Sequence, residues 1–358
     1  MMKNTIIFFG VLCFIFSAGI SFSQENYNVD SIEKNIDKYL QYFSGNNPGA
    51  VIAVMKKGDL VFNKAYGLSD VEQDLALKNN EAFDLVNLSK MFTALAIFQL
   101  DERNKLSLEQ PITDFFPDFP AYGEKIKVKH LIHHTSGLID FDEEKVTSQE
   151  KVLTFLQSQD TTRYNAGEKW YYSNADYPLL VLIIEVVSGK SYKEYMTKRI
   201  FKKIKTNQVF FAEDLDEYTD IAAGHIKEDE QYVVANQINM IYGEQGIFMS
   251  SEDFSKWDKA LYTDRLLDCE TLNSFFSRAK LDNGENIPNY YGNGLVIMKR
   301  NDERYWWHGG SGNGYTHMYL HLPNHELTIL ILTNRQDGYN FLKMAIYIAK
   351  EFEKEIKL

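Results

Sequence analysis

Strand-forming sequence lies at the two ends of this chain and helix-forming sequence lies between them, an order that restricts the fold more than any other feature. Near the N-terminus, residues 51–55 and 60–66 are β-rich apolar runs flanking Lys56-Lys57-Gly58-Asp59, a hairpin signal. Toward the C-terminus, residues 294–299, 304–307, 315–322 and 327–332 are short runs joined by turn residues and predict an antiparallel meander. Helices are expected over residues 90–100 and 148–157, and over 342–352 at the end. Residues 177–187 are apolar on every face, which marks a helix buried inside protein and too short to cross a bilayer. Residues 26–44 repeat Val29, Ile32, Ile36, Leu40 and Phe43 at helical spacing, with Asp30 and Glu33 as a capping box and Gly45 as a stop. The economical fold class is α+β: one antiparallel sheet formed from both chain ends, with flanking helices and a helical insert.

Charge and composition exclude some functions. A net charge of -12 argues against nucleic acid, which requires a basic face, and against electrostatic binding to anionic lipid. Residues 198–205 hold five basic side chains, read as a solvated helix face. Aromatics at 14% suit a well-filled core or an aromatic-lined groove. Lys3, the apolar stretch 6–18 and the small residues of Ser21-Phe22-Ser23 read as an export signal cleaved before Gln24. The expected protein is therefore periplasmic or secreted, with no stable membrane anchor after cleavage. Cys13 leaves with the signal, so Cys269 has no intramolecular disulfide partner and no thiolate metal cluster can form.

The chemistry-bearing segment is Asn87-Leu88-Ser89-Lys90. On a helix, positions 87 and 90 share a face. A lysine one turn after a serine can take the serine proton, and the helix N-terminus helps stabilise negative charge. Here the lysine is present and the serine is not. Ser89 is adjacent to Lys90 and projects elsewhere. Asn87-Leu88-Ser89 also reads as a glycosylation sequon, which means little for a residue lining a cleft.

The run from Phe83 to Leu100 resembles the nucleophile signature of the β-lactamase and penicillin-binding protein superfamily of serine hydrolases, in the branch of class C β-lactamases, D-alanyl-D-alanine carboxypeptidases and esterases. Phe83, Lys90 and Thr93 fit that pattern and place Asn87 at the nucleophile position. Tyr172-Ser173-Asn174 resembles the family's Tyr-x-Asn segment, and His308-Gly309-Gly310 its His-x-Gly strand. Asn47-Pro48-Gly49-Ala50, the segment 131–138 and the segment 246–253 look like further landmarks, so the resemblance spans about residues 48–334. It departs at 200–206, which lacks a Pro-Leu-Gly sequence, and at Ala166, where proline is usual.

The resemblance implies a β-lactamase/transpeptidase-like fold, with an export signal over 1–23 and a single domain over 24–358. A sheet lobe would comprise about 24–75 and 288–358, and a helical lobe about 76–287. It implies Lys90, Tyr172, Asn174 and His308 as catalytic-site residues beside Asn87. Asn87, Gly310 and Ser311 would form the oxyanion and substrate-binding edge, through backbone N–H groups. A phenol beside a lysine is expected to have a lowered pKa and to serve as a base. The family uses neither cofactor nor metal. His130, His133 and His134 lack a carboxylate or cysteine at ligand spacing, and His134 matches a structural histidine. An amide nitrogen is a poor nucleophile, and in a serine protease deleting the nucleophile costs on the order of a millionfold. Two readings follow. One is an inactive or nearly inactive member that keeps a cleft for a small molecule or peptide, a cell-wall stem peptide among the candidates. The other is a hydrolase in which Tyr172 or Lys90 activates water or an unusual nucleophile.

Overall fold

The hairpin expected at the N-terminal end forms from β1 (Ala50–Lys56) and β2 (Asp59–Tyr66). Lys57 and Gly58 turn it at φ +52° and +78°, the left-handed pair that suits a two-residue hairpin turn. The computed structural model describes residues 29–142, 145–235, 241–338 and 341–358; the export segment expected over 1–23 lies outside them. Four C-terminal strands complete the main sheet: β3 (Val296–Arg300), β4 (Glu303–Gly312), β5 (Tyr315–Leu322) and β6 (Leu327–Thr333). The order is β3-β4-β5-β6-β1-β2, every pair antiparallel, so β1 and β6 join the two chain ends at the centre.

Helices cover both faces of this sheet. Ile52 and Val54 pack with Leu320, Ile329 and Ile331 against Ile32 and Ile36 of α1 (Val29–Tyr39) and Met344 and Ile348 of the C-terminal helix (Phe341–Phe352). Val51, Ala53 and Met55 point the other way, with Leu330 and Leu332, into the larger core. An antiparallel strand with one wet face alternates apolar and polar residues; burial on both faces is why β1 and β6 read as near-continuous apolar runs, with Thr328 as the break in β6.

The larger core is centred on α2 (Ser89–Glu102), buried at every position from Ser89 to Leu100. It packs on α3 (Asp176–Ser188). Burial of α3 holds for its first turns but not its last, where Val186 is 55% exposed, so the expectation of burial on every face is too strong. The segment 76–287 also carries small sheets that its expected helical character did not include. One pairs Phe83–Asp84 and Val209–Phe211 with Ile247–Met249; another pairs His225–Glu228 with Gln231–Val234. All five basic residues of 198–205 are exposed. Among the described residues no helix is long and apolar enough to cross a membrane.

Candidate active site

Asn87 sits in a single 3-10 turn (Val86–Leu88) that feeds directly into α2. The turn is clamped from below by Asp84. One carboxylate oxygen accepts the Val86 N–H at 3.0 Å and the Gly246 N–H at 3.1 Å, and the other accepts the Asn313 amide at 3.1 Å. Burial raises the Asp84 carboxyl above its ordinary value, against these hydrogen bonds. His317 donates through Nε2 to the Asp84 carbonyl oxygen at 2.6 Å. Val86 is held at φ +40°, a costly conformation for a β-branched residue. The turn lies against β4 at Gly310, where a Cβ would stand 2.7 Å from Val86 Cγ2 and 3.2 Å from the Asn87 nitrogen. Glycine is what lets strand and turn approach so closely.

That approach brings Asn87 to the backbone of Ser311. The Ser311 N–H donates to Asn87 Oδ1 at 3.1 Å. The backbone donor expected to stabilise a ligand's oxyanion is thus satisfied by the side chain of residue 87 itself.

Lys90 lies one turn on, fully buried, with its Nζ 3.1 Å from Glu244 Oε2. A buried ammonium needs a charge partner, and Glu244, also buried, supplies it. Sequence reasoning missed Glu244; the usable signal was that a lysine on a helix buried all round requires an acid nearby. The Lys90 ammonium stands 5.1 Å from the Tyr172 ring centroid and 5.5 Å from that of Tyr177. The expectation for Tyr172 is reversed. Burial first, then the negative charges of Glu244, Asp140 and Asp176, push its phenol well above the ordinary value. Ser89 is fully buried and does not line the cleft.

Asn87, Tyr172, His308, Gly310 and Ser311 all line one cavity of about 960 Å³. Lys90 and Asn174 do not line it; Asn174 follows Ser173, whose hydroxyl donates to Asp140. Aromatic side chains form much of the remaining wall: Trp170, Tyr290, Tyr291 and Trp307. His308 is buried, and desolvation followed by the Lys90 charge pushes its pKa down to about 3. Its ring is therefore neutral.

The other histidines are spoken for. His134 Nδ1 lies 2.8 Å from Asp176 Oδ2, both fully buried. Burial lowers the histidine and raises the acid, and the pair has no net charge whichever partner holds the proton. His133 Nε2 lies 2.9 Å from Asn293 Oδ1, and His130 Nδ1 accepts the Lys127 N–H at 3.1 Å. Among the described residues no three His, Cys, Asp or Glu side chains are arranged to hold a metal ion.

Residues 30–352 match the family described as Beta-lactamase. Penicillin-binding protein 4* of Bacillus subtilis (strain 168) is 30% identical over 330 residues, covering 85% of this chain and 71% of that protein. Protein flp of Staphylococcus aureus (strain N315) is 26% identical over 325 residues, 88% of this chain but 64% of that protein, so the chain spans less than two thirds of that relative. Among solved structures, the octameric penicillin-binding protein homologue from Pyrococcus abyssi has a TM-score of 0.80 at 28% identity, covering 91% of this chain and 77% of that one. FmtA from Staphylococcus aureus has a TM-score of 0.77 at 22% identity, covering 92% and 90%, a likeness of fold alone.

Proposed function

Because this chain belongs to the beta-lactamase family, we propose that it is an exported member that binds an amide or ester ligand in the family's cleft without forming an acyl-enzyme. The observation that carries this reading is the bond from the Ser311 N–H to Asn87 Oδ1. In acyl transfer a backbone donor here would meet the substrate carbonyl as it gains negative charge. In this chain the donor already has an acceptor, and the residue that supplies the acceptor has no hydroxyl to attack with. The cleft is intact in other respects: Tyr172, His308 and Gly310 line it, and the Lys90–Glu244 pair lies close behind Tyr172. Ligands enter such a site by displacing Asn87 Oδ1 from Ser311 or by hydrogen bonding to the Asn87 amide nitrogen.

The rival reading, in which Tyr172 or Lys90 activates water or an unusual nucleophile, is weakened on both counts: Lys90 is paired with Glu244 outside the cleft lining, and the phenol is a poor base. A base must give up its proton near neutral pH, and burial drives this group the other way. The test is to incubate the natural protein with labelled penicillin and with activated esters. No labelled band and no turnover above a heat-treated control are expected; a covalent band or saturable ester turnover would restore the hydrolase reading. For export, N-terminal sequencing of the protein from its native cells should begin near Gln24. A chain retained inside the cell with residues 1–23 intact would remove that part of the proposal.

A further inference from the structure

The cleft carries no formal charge. None of the described residues lining it is Asp, Glu, Lys or Arg. Lys90 lies outside the lining and is paired with Glu244 at 3.1 Å. Arg278 stacks over the Tyr290 ring at 4.3 Å and gives its Nε hydrogen to the Ile297 carbonyl, but it does not line the cavity. His308 and His317, the titratable cation candidates among the described lining residues, are both buried and neutral, their pKa values pushed down to about 3 and about 4. What the lining offers instead is apolar and aromatic surface from Trp170, Tyr291, Val296, Met298 and Trp307, with neutral hydrogen-bonding groups on Asn87 and Ser311 at one end. Its volume of about 960 Å³ suits a drug-sized ligand.

We propose that the cleft selects an uncharged ligand, an amide or ester whose acyl part bears an aromatic ring, and disfavours ligands that bring a carboxylate into it. This deepens the binding reading above and rests on it. An amide carbonyl matches the neutral donors near Asn87, while a ring stacks on the aromatic wall. A carboxylate would shed part of its hydration and find no cation in return. A peptide C-terminus, including that of a cell-wall stem peptide, is therefore a poor occupant, and a capped or internal amide is a good one.

The experiment uses the full natural chain and three small probes: N-benzoylglycine N-methylamide, N-benzoylglycinate, and N-acetylglycine N-methylamide. Binding is read by tryptophan fluorescence, since Trp170 and Trp307 stand in the wall, and by calorimetry at low salt. The neutral benzoyl amide should bind at least about tenfold more tightly than its carboxylate twin. The acetyl amide, lacking the ring, should be weaker than the benzoyl amide. Asn286→Arg places a cation on an exposed part of the lining and should narrow the gap between the first two probes. Equal or tighter binding of the carboxylate overturns the proposal, as does an undetectable neutral amide at millimolar concentration. Intact mass after incubation with p-nitrophenyl benzoate is read separately. An acyl adduct there would sink the non-covalent reading while leaving the charge preference to be decided by the titrations.

Discussion

At position 87 the carboxamide oxygen accepts the Ser311 N–H, and in the proposed reading this residue holds the nucleophile position without a hydroxyl. Its neighbour Lys90 depends on Glu244. Glu244→Gln leaves a buried ammonium facing a neutral amide, and removing one partner of such a pair costs about 3–5 kcal/mol. Urea unfolding should show that loss; a midpoint within error of the natural protein's would mean the pair is not what holds Lys90. The buried histidines predict an acid dependence. Burial pushes His308 to about 3 and His133 and His317 to about 4, all below the ordinary 6.5. Between those values and 6.5 the unfolded chain binds protons that the folded chain refuses, so stability is lost as pH falls through that window. The urea midpoint should decline between about pH 7 and pH 4.5; a flat profile would contradict the buried neutral rings. Lys90, Tyr172 and His308 were legible in the sequence because they sit in fixed local patterns. Glu244 was not, since it meets Lys90 from 154 positions away and no short motif marks it.

Among the elements, the 86–88 turn and β4 act as one device. Gly310→Ala would put a methyl 2.7 Å from Val86 Cγ2, so turn and strand must part. A cost of about 1–3 kcal/mol is expected, as for other overpacked sites, together with loss of the Ser311–Asn87 bond. The readouts are thermal unfolding and amide hydrogen exchange at Ser311; unchanged protection there would show that the contact is looser than described. In the main sheet, Leu330 on β6 is fully buried on the face toward the larger core. Leu330→Ala should cost about 2–5 kcal/mol in denaturant unfolding. The long elements could be read from sequence because burial on both faces gives β1 and β6 unbroken apolar runs over residues 50–55 and 329–332. The short strands at Phe83–Asp84 and Ile247–Met249 could not, because two or three residues are too few to show a period. Nor could the exposure of Val186, since an apolar side chain on a helix end does not announce which neighbour is missing.

For the whole molecule, the α+β, β-lactamase/transpeptidase-like fold follows from the order of elements along the chain. Strands from both ends meet at β1 and β6, and the helical sequence between them has to pack on one face of the sheet. The cleft then forms where the 86–88 turn at the head of α2 meets the edge of β4, and the proposed lack of acylation rests on the side chain of residue 87. Asn87→Ser supplies the missing oxygen one helical turn from Lys90. In acylation the serine Oγ bonds to the ligand carbonyl carbon, its proton passes to a nearby base, and the bond to the leaving group breaks. The change also frees the Ser311 N–H for the ligand's oxygen, worth about 2.7–4 kcal/mol in comparable sites. The most direct measurement is intact mass after incubation with p-nitrophenyl benzoate, an uncharged acyl donor, for three proteins: natural, Asn87→Ser, and Asn87→Ser with Lys90→Ala. No adduct is expected on the natural chain, a one-to-one adduct on Asn87→Ser, and little or none on the double variant. An adduct on the natural chain at a rate similar to that of Asn87→Ser would contradict the non-covalent reading.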